Sequence, residues 1–496
     1  ELSLQKSVFY LLRREPSASG RVFGHSEKGM LLERGKDMQK LIRETIEGQR
    51  VLILGFGREG KSTLRMIEKV GGYQSLAVAD QKPLQIDTLF YPEDMEVIYG
   101  ETYQDYLNEF DVVFKSPGIV LKQDPGEYTC RIVSQTELFL KRFGKQTVGI
   151  TGTKGKSTVT TLLHHILCKA GKKAILAGNI GIPVFDIVDQ IGEETPVVLE
   201  LSCHQLEYAS VSPHTAVLLN LYEEHLDHYK TLERYIAAKQ NIYANQKAGD
   251  TLFCNEENLP GKPVLGLEGE TACRKCQGEV ISVGLDSSSA RIQINGCRVT
   301  CENHVFQIPE EEISLVGQHN YFDIGVVYGI CREIFRIPDE EFSQALKTYK
   351  PLPHRMEYVG TIDGVRYYDD SISTICETTI QALSSIPKVD AVLIGGMDRG
   401  IDYGPLEEYL SSSQVKFNIL MAETGKRIYQ EIMEKNTSFR KKERLIRRDT
   451  LEEAVAYAKE VCHPGSCCVL SPAAASYGIF RNFEERGDVF KKLVKE

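Results

Sequence analysis

Short apolar runs that stop abruptly at glycine, serine or an acid recur along the chain, and between them the apolar positions spread to helical spacing. The first is Val51-Leu-Ile-Leu54, followed by Gly55-Phe-Gly57-Arg-Glu-Gly60, a helical pattern through Leu64 and Ile67, and a second run over residues 75–79 that ends at Asp80. Strand, glycine turn, helix, strand and acid is the order of a nucleotide-binding α/β unit. Asp111-Val-Val-Phe114, just before Ser116-Pro-Gly118, predicts a further strand. The pattern restarts near Gln146, with a strand over 147–150, a glycine-bearing loop over 151–155 and a helix over 156–170. Val197-Val-Leu-Glu200 and residues 216–220 are apolar runs ending at polar side chains, as parallel strands do at the carboxyl edge of a sheet. Residues 251–315 read as strand-rich and hairpin-like. A third restart near Pro351-Leu-Pro353 places strands at 365–368, 391–394 and 467–470. Three rounds of alternation predict three α/β domains, over 49–145, 146–350 and 351–496, after a polar, helix-prone extension over 1–48.

At 496 residues the chain exceeds a single core, in keeping with several domains. The formal net charge of −10 argues against a nucleic-acid surface, while leaving room for a local basic site on a small anion. No run reaches the roughly 20 apolar residues of a membrane helix. Glu1 to Arg14 lacks the pattern of a secretory leader, and thirteen scattered cysteines fit reduced thiols, so a cytoplasmic protein that binds no membrane is expected. Cys273 and Cys276, with Cys297 and Cys301, form two close pairs of the kind a structural zinc uses; a cysteine-containing hairpin is the alternative.

The most informative stretch is Gly152-Thr-Lys-Gly155-Lys156-Ser157-Thr158. A loop between a strand and a helix start aims backbone N–H groups at phosphate, aided by the helix dipole. Gly152 and Gly155 let the backbone approach, Lys156 neutralises phosphate charge, and Ser157 is placed to ligate Mg²⁺. Gly149 stands one residue too early for the general phosphate-loop pattern, so only a shorter Gly-Thr-x-Gly-Lys-Ser form is present. Glu200, His225 and Lys239 lie on elements that follow, and a strand-end carboxylate suits a hard cation.

Taken together these residues resemble the Mur ligase family. Gly178-Asn-Ile-Gly181, Glu200-Leu-Ser-Cys-His-Gln205, residues 220–227, Leu315-Val-Gly-Gln-His-Asn320, Leu352-Pro-His-Arg355 and Leu470-Ser-Pro472 follow the phosphate loop in the family's order. The likeness runs from about residue 50 to the end. Within the family, Gly181-Ile-Pro183, Gln205-Leu-Glu207 and Arg481-Asn-Phe-Glu-Glu-Arg486 are most similar to the glutamate-adding members.

The resemblance implies three domains: a Rossmann-like N-terminal domain for UDP, a central P-loop ATPase domain, and a Rossmann-like C-terminal domain for the incoming amino acid. It implies that ATP activates the carboxylate of UDP-N-acetylmuramoyl-L-alanine as an acyl phosphate, which glutamate then attacks. Gly152, Thr153, Lys154, Gly155, Lys156, Ser157, Thr158, Asn320, Arg355 and Asp370 would hold ATP. Gly57, Arg58, Asp80, Ser116, Asn179, Ser202 and Gln205 would hold the UDP substrate, and Thr374, Arg399, Ser476 and Phe483 the glutamate. Lys156, Glu200, His225 and Lys239 would serve catalysis. Ser157 and Glu200 would bind one Mg²⁺, and His225 a second, supported by a carbamylated Lys239. A monomer and hinge closure over ATP are also implied.

The chain departs from the glutamate-adding pattern mainly in its last third. Asp370-Ser-Ile-Ser-Thr-Ile375 has Ile372 and Ile375 where a lysine and an asparagine are expected, and Arg399 replaces a lysine. Asp323 replaces an asparagine, Glu224 an aspartate, and His204 a common aromatic residue. The Ser-Ile-Ser-Thr loop and Asp398-Arg-Gly-Ile-Asp402 are similar to a branch that includes ligases for L-glutamate. D-glutamate is favoured here because that reaction is the commoner one. The alternatives are L-glutamate, a ligase for another acid, or a ligase-like protein without catalysis. The first glycine turn taken alone would also suit an NAD-dependent oxidoreductase.

Overall fold

The computed structural model describes residues 25–83, 95–222, 226–262, 274–315, 317–434, 439 and 442–496. Three mixed α/β regions are present, each built on one sheet, in two compact units, Leu11–Lys350 and Pro351–Glu496.

The first sheet is wholly parallel. Its strands β1 (Arg50–Leu54), β2 (Ser75–Asp80), β3 (Glu96–Tyr99), β4 (Val112–Lys115) and β5 (Arg131–Val133) lie in the order β3-β2-β1-β4-β5. The β1 run is continuously apolar because both faces are covered: Val51 and Ile53 enter one core cluster, Leu52 and Leu54 another. The strand order reverses between β1 and β4, the place where open α/β sheets bind ligands. The polar start of the chain carries a helix, His25–Ile46, that belongs to this core. Met38, Ile42 and Ile46 recur every fourth residue and are fully buried beside Phe139, Ile187 and Val188.

The second sheet contains β6 (Thr147–Thr151), β7 (Ile175–Gly178), β8 (Val197–Glu200), β9 (Thr215–Leu218), β10 (Thr251–Asn255), β11 (Glu279–Leu285), β12 (Ile292–Asn295), β13 (Arg298–Cys301) and β14 (His304–Gln307). The order is β14-β13-β12-β11-β10-β9-β6-β8-β7, parallel except for the β12-β13-β14 meander. Both neighbours of β6 come later in the chain, so the loop leaving β6 opens at a second point of reversal.

In the other unit, β15 (Glu357–Ile362), β16 (Val365–Asp369), β17 (Val389–Gly395), β18 (Phe417–Met421), β19 (Leu445–Arg448) and β20 (Cys467–Leu470) follow the order β15-β16-β20-β17-β18-β19. Only β15 is antiparallel to its neighbour. All seven residues of β17 are buried, Val392 and Ile394 toward one core cluster, Ala391 and Leu393 toward the other. No described helix is long and apolar enough to cross a membrane.

Candidate active site

The phosphate loop fits the shape its sequence demands. Gly152 and Gly155 have φ of 156° and 81°, where side chains are strained. A Cβ at Gly152 would lie 2.8 Å from Leu219 Cβ, and one at Gly155 2.7 Å from Asp323 Oδ1. Gly155 caps the helix Lys156–Lys169 without a side-chain bond to its first turn, which suits an anion site. The ammonium of Lys156 donates to Gly152 O and Thr153 O, each at 2.9 Å.

Two residues absent from the sequence-based site hold this loop. Asn220, just past β9, accepts from Thr153 N at 2.8 Å through its backbone oxygen and from Lys154 N at 2.7 Å through Oδ1, and its amide donates to Lys154 O at 3.2 Å. The Tyr235 hydroxyl lies 3.0 Å from Thr153 Oγ1. Lys239, one helical turn later and 1% exposed, donates to Gly152 O at 2.8 Å and sits 4.9 Å from the Tyr235 ring centre. Asn220 could have been suspected from its place at the end of an apolar strand, and Tyr235 from its i,i+4 spacing to Lys239.

Glu200 ends β8, opposite Ile150 of β6 in register, and is 1% exposed. Its Oε1 accepts from Asn179 Nδ2 at 2.6 Å, whereas Oε2 is buried with no hydrogen-bond partner among the described residues. An orphaned carboxylate oxygen next to the loop-bearing strand is the donor a hard cation takes, so the residues present fit a magnesium ion. Ser157 is buried on the first turn of the phosphate helix, and Thr158 follows it. His225 lies outside the described residues.

The glycine turn after β1 is tied to the same unit. A Cβ on Gly60 would come within 2.1 Å of Gly55 O, so only glycine allows that packing; Gly57 caps the next helix. Asp80 accepts from Phe56 N at 2.8 Å, and Ser116 Oγ donates to Gly55 O at 2.7 Å, so both brace the turn. Arg58 donates to Asn179 O at 3.1 Å and Gly181 O at 3.3 Å. Ser202 and Gln205 form a capping box, and Gln205 Nε2 also donates to Glu59 Oε1 at 2.7 Å. Burial raises the Glu59 carboxyl above its usual range, against that hydrogen bond. Asn320 lies on the first turn of the helix Gln318–Glu333.

In the unit Pro351–Glu496, Asp370 accepts from Ser471 Oγ at 2.7 Å and Met356 N at 3.1 Å. Burial pushes its carboxyl up to about 6, against these bonds and the neighbouring Arg355 charge. Folding therefore favours the neutral acid: that stabilisation is complete below the unfolded value near 4 and is lost as pH rises through about 6. Asp370→Asn is expected to raise the urea midpoint at pH 8, by up to about 3 kcal/mol in stability, with little effect at pH 4. A pH-independent effect would contradict this.

Arg399 Nη2 donates to Thr374 O at 2.6 Å, bringing two of the four predicted glutamate contacts together. Ser476 is buried, and the Phe483 ring lies 6.1 Å from that of His354. A residue that the sequence reading quoted but gave no role in the site organises this region. Arg486, 1% exposed, donates to Ser371 Oγ at 3.0 Å, Ser371 O at 2.8 Å and Ala474 O at 3.0 Å. It thereby joins the Asp370 loop to the segment leading to Ser476. Arg486→Met is expected to cost about 3 kcal/mol by denaturant unfolding, because buried carbonyls lose their donor; a loss under about 0.5 kcal/mol would contradict that role. Ile372 is half-buried, and Ile375 precedes the helix Cys376–Ser385 with its side chain exposed.

The zinc alternative is not supported. Cys273 lies outside the described residues, and Cys276, Cys297 and Cys301 bond separate partners, Gln246, Glu310 and Glu333. Among the described residues, His354, Glu357 and Asp369 do converge as possible metal ligands, but the Lys491 ammonium lies 3.2 Å from Glu357 and 4.0 Å from Asp369 and supplies their countercharge.

Residues 150–329 match the family model for the Mur ligase middle domain. The chain belongs to the Mur ligase family, ATP-dependent ligases that form amide bonds. It is similar to the UDP-N-acetylmuramoylalanine–D-glutamate ligase of Clostridium acetobutylicum, 32% identical over 468 residues, 90% of this chain and 97% of that one. The ligase of the same name from Clostridium kluyveri is 31% identical over 466 residues, 92% of this chain and 98% of that one. In fold it resembles the MurF ligase from Thermotoga maritima in complex with ADP, with a TM-score of 0.52 at 17% identity, over 92% of this chain and 99% of that one. MurF from Acinetobacter baumannii gives 0.51 at 14% identity, over 92% of each. The first glycine turn thus belongs to a ligase, and the oxidoreductase alternative falls.

Proposed function

We infer that this chain joins D-glutamate to UDP-N-acetylmuramoyl-L-alanine at the expense of ATP, a step of peptidoglycan precursor synthesis. The observation that carries the reading is a braced phosphate loop beside a buried, unpartnered carboxylate oxygen, in a chain that aligns almost end to end with D-glutamate ligases. We assign UDP binding to residues 49–145, ATP binding to 146–350 and glutamate binding to 351–496, and expect a cytoplasmic monomer that binds no nucleic acid.

The loop N–H groups and Lys156 collect the phosphates, and Lys156 meets the charge that shifts during phosphoryl transfer. Ser157 and Glu200 would hold Mg²⁺, which when bound neutralises phosphate charge; His225 and Lys239, the latter carbamylated, are assigned to a second ion. Asn179 orients Glu200 through its 2.6 Å hydrogen bond. Arg58, Asp80, Ser116 and Gln205 shape the path from the glycine turn to the acceptor carboxylate. Arg355 and Asp370 are assigned to ATP, and Thr374, Arg399, Ser476 and Phe483 to the amino acid.

A second reading, L-glutamate as the amino acid, is favoured by Ile372, Ile375 and Arg399 in that region. Initial rates with each enantiomer, in the presence of UDP-N-acetylmuramoyl-L-alanine, Mg²⁺ and bicarbonate, separate the two. Turnover with D-glutamate is expected; turnover with only L-glutamate would place the change of specificity at those residues, and silence with both would overturn the reading.

A further inference from the structure

A buried lysine closes β4 where the first sheet reaches its ligand-binding edge. All four residues of that strand are buried, and the Lys115 side chain that ends it is 4% exposed. An apolar residue would continue the strand, whereas a buried ammonium gives up its hydration. Burial pulls the Lys115 ammonium below the usual lysine range, against the charges of Glu207 and Glu59. The strand order reverses between β1 and β4, and Ser116 is the next residue of the chain.

The partner of Lys115 comes from the second region. Among the described residues, the one carboxylate within ion-pair distance is that of Glu207, with Oε2 3.7 Å away. The ammonium also lies 3.5 Å from Ser116 O and 3.4 Å from Pro117 O, and 5.3 Å from the Tyr208 ring centre. Glu207 follows the Ser202–Gln205 capping box by two residues and is held from two other sides. Asn241 Nδ2 donates to Leu206 O at 2.8 Å and to Glu207 O at 3.0 Å, and His228 Nε2 lies 3.2 Å from Glu207 Oε2. The ion pair therefore runs from the Ser116 turn of one region to the turn that carries Ser202 and Gln205 in the other. Buried ion pairs add little net stability over apolar side chains of similar size, but breaking one strands the remaining charge. Such a pair favours a single spacing of the two segments that carry it.

We propose that Lys115 and Glu207 are positioning residues for the UDP substrate, their ion pair fixing the distance between the Ser116 turn and the Ser202–Gln205 turn that receive it from opposite sides. The proposal rests on the UDP-substrate reading of those turns. Neither side chain takes part in phosphoryl transfer; both act through the residues they hold.

The test is calorimetric binding of UDP-N-acetylmuramoyl-L-alanine, and separately of ADP with Mg²⁺, to the full chain, together with steady-state rates. The variants are K115M, E207Q, their double mutant and E207D. K115M and E207Q are each expected to lose about tenfold or more in affinity for the UDP substrate, with KM rising in parallel, while kcat and ADP affinity stay within about threefold. The double mutant is expected to match the weaker single variant within about threefold, because both changes remove one link. E207D keeps the charge on a shorter arm, and is expected to lose about threefold or more for the UDP substrate alone; it serves where the other variants do not fold. Wild-type affinity for the UDP substrate in the folded variants, even with a lower melting temperature, would overturn the proposal. So would an equal fall in ADP affinity, which would mark a general loosening. Failure of the wild type itself to bind the UDP substrate would remove the underlying reading, and this proposal with it.

Discussion

Lys156→Ala is expected to lower ATP-dependent phosphate release by about a thousandfold or more, while leaving the chain folded. Phosphoryl transfer asks little covalent chemistry of the protein; positioning and charge supply most of the rate. Lys156 opens the helix that begins at the loop, and its ammonium already lies on the loop carbonyls Gly152 and Thr153. A cation in that position needs only a short movement to meet a phosphate, so its loss removes charge where the transition state gains it. The side chain is half-buried at the start of a helix whose core contacts come from Val159, Leu162 and Leu163, so stability should hardly change. Rates within tenfold of the wild type, with normal unfolding, would show that the loop does not carry the chemistry assigned to it.

Glu200→Gln is expected to raise the Mg²⁺ concentration needed for half-maximal turnover by about 10–100-fold or more. The Glu200 carboxylate divides its two oxygens: Oε1 is held by Asn179, and Oε2 is buried without a hydrogen-bond partner among the described residues. Glutamine keeps an acceptor for Asn179 and removes the charge that a hard cation seeks. The same substitution should raise the melting temperature of the chain in excess chelator, because an unpaired buried charge is costly without its ion. An unchanged magnesium requirement together with lower stability in chelator would mark Glu200 as structural.

The fold was legible where strands are buried on both faces. Val51–Leu54 and Cys467–Leu470 are uninterrupted apolar runs, Val197–Leu199 is one that stops at Glu200, and each forms a strand within a residue of the expected position. The phosphate loop was legible because its glycines, lysine and serine are contiguous. The helix His25–Ile46 was only partly so: its mean composition is polar, and Met38, Ile42 and Ile46 show their purpose only once a partner surface is present. Asn220 and Tyr235 reach the loop across 66 and 82 residues, which no local pattern records. Arg486 reads locally as one more charge in an acidic and basic helix, and only the carbonyls of Ser371 and Ala474 give it a reason to be buried.

The central claim is that ATP activates the acceptor's carboxylate. It is tested most directly by ligation of UDP-N-acetylmuramoyl-L-alanine whose terminal carboxylate is labelled with ¹⁸O, followed by mass analysis of the phosphate and the product. Attack of glutamate on an acyl phosphate leaves one labelled oxygen on the released phosphate and one in the new amide, and that is the expected result. Product formation with unlabelled phosphate would contradict the account.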